Sequence, residues 1–217
     1  VPAVTFPRVA AEDLHRELQK LGTPGCEELE GQTLHSLAMR ILSRKHVLEA
    51  VGRVPRPPNT FETKAMICDL AGANGGKRKV KKMIQGYTAA WAQSQGDEPG
   101  FAKDDAEKKF QADLLDWLDF HEGMLIGELI PYLVRYLKDN PAAAEHKEFK
   151  HLLVDEFQDL NKAEQTAIAY LGATAEVCIV GDDDQSIYSF KNAHPDGIRE
   201  WKDGDLSGSD LRHPGRD

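Results

Sequence analysis

The segment Leu152-Leu153-Val154-Asp155-Glu156-Phe157-Gln158-Asp159 decides the fold, because an apolar run leads directly into two adjacent carboxylates. We predict a buried β-strand from Phe149 to Val154 that delivers Asp155 and Glu156 at its end. Such charges are costly to hold beside a buried strand unless they have a partner, and a magnesium nucleotide would supply one. Asp155 would hold Mg²⁺ through its water shell, and Glu156 would orient or deprotonate the attacking water. A solvated acidic turn is the alternative, and it is common for this pattern.

The residues that follow predict a βαβ unit. Leu160–Leu171 has the apolar spacing of a helix, and Val177–Val180 is a second apolar run that ends in Gly181-Asp182. Two apolar strands joined by a helix lie parallel in a sheet covered on both faces. Open α/β sheets bind ligands at the carboxyl ends of their strands. We therefore expect Gln185 beside the carboxylates, within reach of a terminal phosphate or the attacking water.

Two aromatic residues come shortly after this predicted amide. Tyr188 and Phe190 alternate along the chain and are followed by the cation Lys191. Aromatic rings with a neighbouring cation form the platform on which single-strand bases stack. The alternative is that both rings are core residues, which is the usual position of an aromatic side chain.

The remainder of the chain predicts further helices and one more strand. We expect a strand at Val1–Phe6, a helix at Ala10–Leu21, a helix capped by Thr33 that runs to Leu42, and a helix at Leu125–Leu137 with a possible kink at Pro131. From about residue 51 to 120 the sequence is polar and rich in lysine and glycine, which indicates a mostly helical insertion. Its expected core residues are Met83, Ile84, Tyr87 and Trp91.

Composition limits the classes of protein. The 217 residues are 41% hydrophobic, with a net charge of -9 and a pI near 5.4. An acidic chain does not bind nucleic acid through its overall charge, so any such contact needs a local surface. The one basic cluster is a duplex or phosphate contact or a solvated face; it comprises Lys77, Arg78, Lys79, Lys81 and Lys82. No apolar run is long enough to span a bilayer. The three cysteines are far apart and form no CxxC pair, which indicates a reducing cytoplasm rather than a disulfide or zinc protein.

Four ordered segments resemble the motifs of UvrD/Rep-type superfamily 1 helicases. Residues 155–159 and 181–188 resemble motifs II and III, residues 3–6 with 10–12 resemble motif Ia, and Thr33-Leu34-His35-Ser36 resembles the next DNA-contact motif. Asp119-Phe120 followed by Leu125 resembles the helix that leads back to the motor. The similarity covers about residues 1–46 and 118–195, and four ordered motifs are far more specific than any one of them.

The resemblance implies a fold and a function. The fold would be α/β, an incomplete RecA-like P-loop motor core with a parallel sheet plus a helical insertion subdomain. Residues 1–46 and 119–201 would form the core, residues 47–118 the insertion that meets duplex DNA, and residues 202–217 a polar tail. The parent protein would be an ATP-dependent DNA helicase that uses ATP and Mg²⁺ to move on single-stranded DNA. An ATPase-inactive binding or scaffold module, and a P-loop ATPase that never touches DNA, are the alternatives.

Roles follow from the same resemblance, residue by residue. Asp155 would hold Mg²⁺, Glu156 would be the catalytic base, and Gln185 would sense the γ-phosphate. The DNA track would be lined by Thr5, Phe6, His35, Tyr188, Phe190 and Lys191. Lys191 stands where the family often has arginine and Phe190 where tryptophan is frequent, so stacking is retained while fork-like phosphate binding is weakened.

The sequence departs from the family in lacking a phosphate loop of the form G-x-x-x-x-G-K-S/T. Gly75-Gly76-Lys77-Arg78 lacks the first glycine and the hydroxyl after lysine, and we interpret it as a basic loop. The arginines of a second motor domain are also missing. We expect the chain to be a fragment of a longer helicase, unable by itself to hydrolyse ATP or unwind DNA.

Overall fold

A four-stranded parallel sheet is the centre of the α/β part of the chain. The computed structural model describes residues 2–5, 30–93 and 102–181, together with Arg16 and Lys20. The strands are β1 (Pro2–Thr5), β2 (Glu30–Thr33), β3 (His151–Val154) and β4 (Glu176–Ile179). Their order is β2-β1-β3-β4, and every neighbouring pair is parallel. The predicted parallel sheet is therefore confirmed, while β2 was not predicted.

Helices account for most of the other described residues. They are α1 (Leu34–Leu42), α2 (Lys45–Val51), α3 (Thr60–Ala71), α4 (Lys77–Ala92), α5 (Asp105–Phe120), α6 (Leu129–Asp139) and α7 (Lys162–Leu171). Short 3₁₀ turns lie at Ile126–Glu128, Ala144–Lys147 and Phe157–Asp159. No helix within these described ranges combines the length and apolar character that crossing a membrane requires. Of the predicted helix at Ala10–Leu21, only Arg16 and Lys20 are described, and both are helical.

The chain divides into two compact units. One comprises residues 1–37 and 134–217 and contains the sheet, and the other comprises residues 38–133. The predicted functional boundaries at 46/47 and 118/119 remain a prediction.

The βαβ unit β3–α7–β4 forms because its apolar residues match its elements. Leu152 and Val154 of β3 are buried, as are Ala167, Ile168 and Leu171 of α7. Gly172 ends α7 so close to β4 that a Cβ there would lie 2.6 Å from Cγ2 of Val177, so glycine is required. The expectation of a sheet covered on both faces is wrong at β4, whose Glu176 and Cys178 are exposed. Among the described strands, β4 is the last in the order of the sheet.

Proline does not disturb α6. Pro131 is the third residue of this helix, in the first turn, where a missing N–H removes no intrahelical hydrogen bond. The possible kink at Pro131 is therefore wrong, because this proline lies in the first turn and not inside the helix. The residues from Ile126 to Glu128 form a 3₁₀ turn rather than the start of the helix.

The unit of residues 38–133 has a core built by α3, α4 and α5. Val80, Tyr87 and Trp91 lie at a spacing of seven and four residues, so one face of α4 is buried. The Tyr87 ring meets that of Phe110 edge to face at 5.8 Å. The predicted core residues Tyr87 and Trp91 are thus buried. Met83 and Ile84 are only half-buried, because they lie beside that face and Val80 lies on it.

The glycine pair Gly75-Gly76 lies directly before α4. Gly76 has φ 96° and is the N-cap of α4, a conformation that favours glycine. The interpretation of Gly75-Gly76-Lys77-Arg78 as a basic loop is therefore wrong for Lys77 and Arg78, which are helical residues. The preceding element is helix α3 rather than the strand that a phosphate loop follows.

A buried ion pair links three parts of this helical unit. Arg53 donates to Oε1 of Glu128 at 3.0 Å, to the hydroxyl of Tyr132 at 2.8 Å and to the carbonyl of Gly123 at 2.9 Å. The Arg53 and Glu128 side chains are only 14% and 4% exposed. Burial raises the pKa of Glu128 by more than the attraction of Arg53 lowers it. The carboxylate also accepts from the backbone N–H of Leu125, and Arg53 supplies the positive charge that offsets its burial.

We predict that Arg53→Met destabilises the unit by about 3–5 kcal/mol, because it leaves a buried carboxylate without its cation. Urea unfolding of the chain measures the loss. Lys45→Met is the control, since Lys45 pairs with Glu49 on the surface at 3.9 Å and exposed pairs contribute only about 0–1 kcal/mol. Equal losses in the two variants would show that the buried pair is not a principal support.

Candidate functional site

The carboxyl ends of the strands converge at one edge of the sheet. Val4 of β1 is in register with Val154 of β3, so Thr5 and Asp155 both lie just beyond that pair. Thr5 is also in register with Thr33, the last residue of β2. The backbone thereby brings together the predicted DNA-contact segments and the predicted carboxylates, at the edge where open α/β sheets bind ligands.

Glu156 adopts an unusual backbone conformation. Its φ and ψ are 52° and 42°, the left-handed region, which costs a residue with a Cβ about 1–2 kcal/mol. Three hydrogen bonds hold it there: Glu156 N to Oδ1 of Asp155 at 2.9 Å, Phe157 N to the Val180 carbonyl at 3.1 Å, and Asp159 N to the Glu156 carbonyl at 2.9 Å. Strain that surrounding bonds over-determine is characteristic of functional sites.

Gln158 connects this turn to the side chain of Glu156. It is 3% exposed, and its Nε2 donates to Oε2 of Glu156 at 2.6 Å. The carboxylate of Glu156 is exposed, whereas the amide that binds it is buried. The buried amide of Gln158 thus holds Oε2 of Glu156, the predicted base.

The donor set suits a cation that brings most of its own ligands. No group of three or more His, Cys, Asp or Glu side chains within the described ranges is arranged to hold a metal ion. Mg²⁺ bound to a nucleotide typically takes only one or two protein carboxylates, with phosphates and waters completing its shell. Asp155 uses one of its two carboxylate oxygens in the turn, and it therefore fits such a role.

The second predicted motif is ordered by a helix cap. Oγ1 of Thr33 accepts from the backbone N–H of Ser36 at 3.1 Å, as predicted for the start of α1. His35, in the first turn, lies with Nδ1 3.6 Å from Oε1 of Glu164 on α7. This contact joins the predicted DNA segment to the helix that directly follows the carboxylate turn.

Glu164 is a buried acid that completes a capping box. Its Oε2 accepts from Asn161 N at 2.9 Å, and Oδ1 of Asn161 accepts from Glu164 N at 3.0 Å. Burial raises the pKa of Glu164 to about 7, against the smaller effect of the bond from Asn161. Burial also lowers the pKa of His35. The two groups lie at ion-pair distance, and burial disfavours the charged form of each.

The structure describes only some of the predicted site residues. Asp155, Glu156 and His35 are described fully, and Thr5 by its backbone. Gln185, Phe6, Tyr188, Phe190 and Lys191 lie outside the described residues. The sequence analysis missed Gln158 and Glu164. The pattern Asn161-Lys162-Ala163-Glu164 is itself a capping-box signal and would have placed Glu164 at the start of α7.

A parallel sheet with carboxylates at its strand ends is typical of nucleotide-binding α/β proteins. Residues 1–204 match the model of the UvrD/REP helicase N-terminal domain, and the chain belongs to this family. It is 28% identical over 228 residues to DNA helicase II of Haemophilus influenzae, which covers 93% of the chain and 30% of the relative. It is 27% identical over 213 residues to the ATP-dependent DNA helicase PcrA of Staphylococcus aureus, with 93% and 29% covered.

A third relative agrees with these two. The ATP-dependent DNA helicase PcrA of Bacillus subtilis is 26% identical over 205 residues, which cover 88% of the chain and 27% of the relative. The chain thus spans 27% to 30% of the length of these curated relatives.

Glu164 predicts an unusual dependence of stability on pH. Its folded pKa of about 7 lies above the unfolded value of about 4.3. Between these values the unfolded chain releases the proton and the folded chain keeps it, so stability falls as pH rises. Relative to Glu164→Gln, the wild-type chain should lose about 3 kcal/mol across this window.

Urea unfolding of both chains from pH 4 to 8 measures this difference. The control is Glu62→Gln, because Glu62 fills the same capping-box position on α3. Its pKa is lowered, first by the bond from Asn59 and then by Arg56, so its contribution is lost only on acidification. Parallel profiles for wild type and Glu164→Gln would contradict the assignment.

Proposed function

We propose that this chain is the first part of the motor of an ATP-dependent DNA helicase, which couples Mg-ATP hydrolysis to movement on single-stranded DNA. Family membership supports the proposal, as does the similarity to proteins named as DNA helicases. The observation that carries it is the left-handed turn at Glu156, which presents two carboxylates at the carboxyl edge of a parallel sheet. A RecA-like P-loop core, the domain boundaries given above and a cytoplasmic location belong to the same proposal.

The chemistry assigned to this turn is hydrolysis of the terminal phosphate of ATP. Glu156 accepts a proton from water while the water oxygen forms a bond to the γ-phosphorus. The bond from that phosphorus to the oxygen bridging the β-phosphate breaks, and ADP and inorganic phosphate leave. Asp155 would hold Mg²⁺ through its water shell, and the metal would supply positive charge to offset that of the phosphates.

The DNA side of the proposal uses the same edge of the sheet. Gln185 follows β4 in the chain and would report the γ-phosphate to the DNA track. The track would be lined by Thr5, Phe6, His35, Tyr188, Phe190 and Lys191. The closeness of Thr5 and Thr33 to Asp155 supports this arrangement, because the segments that begin at β1 and β2 reach the level of the carboxylates. Duplex DNA would meet the helical insertion.

The first test concerns Glu156. In the full-length protein, Glu156→Gln should bind ATP normally and lower turnover by orders of magnitude, because the amide cannot accept the proton of water. DNA-stimulated phosphate release and binding of a fluorescent nucleotide give the two quantities. Glu176→Gln is the control. This glutamate is exposed at the start of β4, at the end of the strand that lies away from the predicted site. Near-normal turnover in Glu156→Gln would refute the role.

The second test concerns the aromatic pair. Alanine at Tyr188 or Phe190 should weaken single-strand binding by about 1–3 kcal/mol, because each loses a stacked base. Tyr188→Phe and Phe190→Trp keep a ring and should retain affinity. Fluorescence anisotropy with a labelled oligonucleotide at fixed salt measures all four variants. Full affinity in both alanine variants would place the rings in the core.

A further inference from the structure

A buried amide is bonded to an exposed acid at the carboxylate turn. Gln158 lies in the 3₁₀ turn Phe157–Asp159 and is 3% exposed. An amide is costly to bury unless it is hydrogen-bonded, and Nε2 of Gln158 donates to Oε2 of Glu156 at 2.6 Å. A hydrogen bond from an amide to a carboxylate is of the charge-assisted kind. The buried amide of Gln158 thus holds the carboxylate of Glu156, which is exposed and would otherwise rotate freely.

The backbone hydrogen bonds of the turn do not fix the orientation of the Glu156 side chain. The hydrogen bonds at Asp155, Phe157 and Asp159 fix the main chain of Glu156 in its left-handed conformation. They do not fix the three side-chain torsions, and an exposed glutamate samples many rotamers. The bond from Gln158 removes that freedom and occupies one carboxylate oxygen.

We infer that Gln158 is a positioning residue, whose amide holds Oε2 of Glu156 so that Oε1 faces the attacking water. The inference rests on the proposed hydrolysis and deepens it. Gln158 acts through Glu156. It should therefore affect the chemical step and not the affinity for nucleotide.

Isosteric variants separate donation from packing. Gln158→Met keeps the length of the side chain and removes the donor, while Gln158→Glu places a carboxylate against a carboxylate. In the full-length protein, Gln158→Met should lower kcat by about 10–100-fold, as for a misplaced catalytic group. KM and the affinity for a fluorescent ADP should stay within about twofold of wild type. Gln158→Glu should lower kcat further.

Gln165 offers a matched control. It is 0% exposed, and its Nε2 donates to the Leu160 carbonyl at 3.2 Å rather than to Glu156. Gln165→Met therefore removes a buried amide from the same region without touching the predicted base. It should reproduce any general loss of stability, measured as Tm, while kcat remains close to that of wild type.

A double-mutant cycle decides whether Gln158 works through Glu156. Single-turnover phosphate release is measured for wild type, Gln158→Met, Glu156→Gln and the double variant. Because there is no base left to position, Gln158→Met should cause no further loss in the Glu156→Gln background. An equal fold-loss in both backgrounds, or a wild-type kcat in Gln158→Met, would overturn the inference.

The proposed function fails separately. If the wild-type protein shows no DNA-stimulated ATPase, both the proposed function and the positioning role are wrong. If the wild type is active and Glu156→Gln is not, while Gln158→Met equals wild type, only the positioning role falls.

Discussion

The parallel pairing of β1 with β3 is the constraint on which the site depends. Ala3 pairs with Leu153 and Val4 with Val154, so two segments that are far apart in the sequence share one register. Parallel strands end at the same edge of a sheet. This pairing therefore carries Thr5 to the level of Asp155, and the neighbouring pair β1–β2 carries Thr33 to the same edge. A one-residue slip would reverse the faces of a strand and separate these ends.

The left-handed backbone of Glu156 sets the position of the second carboxylate, which the sheet alone does not determine. The sheet places Asp155 at its edge, but the left-handed turn at Glu156 redirects the chain and sets the second carboxylate beside it. Its bonds come from the preceding residue, from the following 3₁₀ turn and from the carbonyl of Val180, the residue after β4. Since Val180 directly follows β4 in the chain, this bond ties the carboxylate turn to the carboxyl end of β4. Such a connection suits a site that must register the presence of a phosphate.

The sequence predicts those elements whose own residues specify them. The strand β3 follows from an apolar run, α7 from helical spacing and an Asn161 cap, and the start of α1 from Thr33. β2 escaped prediction because Glu30-Gly31-Gln32-Thr33 has neither apolar alternation nor β-branched residues except Thr33. Its strand conformation comes from pairing with β1, a tertiary effect that outweighs local preference.

The candidate site could likewise be predicted only in part. Adjacent carboxylates after an apolar strand identify Asp155 and Glu156, because the chemistry is written in the residue types. The left-handed backbone of Glu156 was not predictable, since that conformation is ordinarily a sign of glycine. The roles of Gln158 and Glu164 depend on burial, at 3% and 1% exposure, and polar residues give no sequence signal that they are buried.

The most direct test of the central claim is a crystal structure of the full-length protein with ADP, Mg²⁺ and a planar mimic of the transferred phosphate. The account predicts the nucleotide at the carboxyl edge of the sheet, Asp155 in the water shell of Mg²⁺, and the Glu156 carboxylate about 2.6–3.2 Å from the water in line with the mimic. A nucleotide bound elsewhere, or a Glu156 carboxylate turned away from that water, would contradict it.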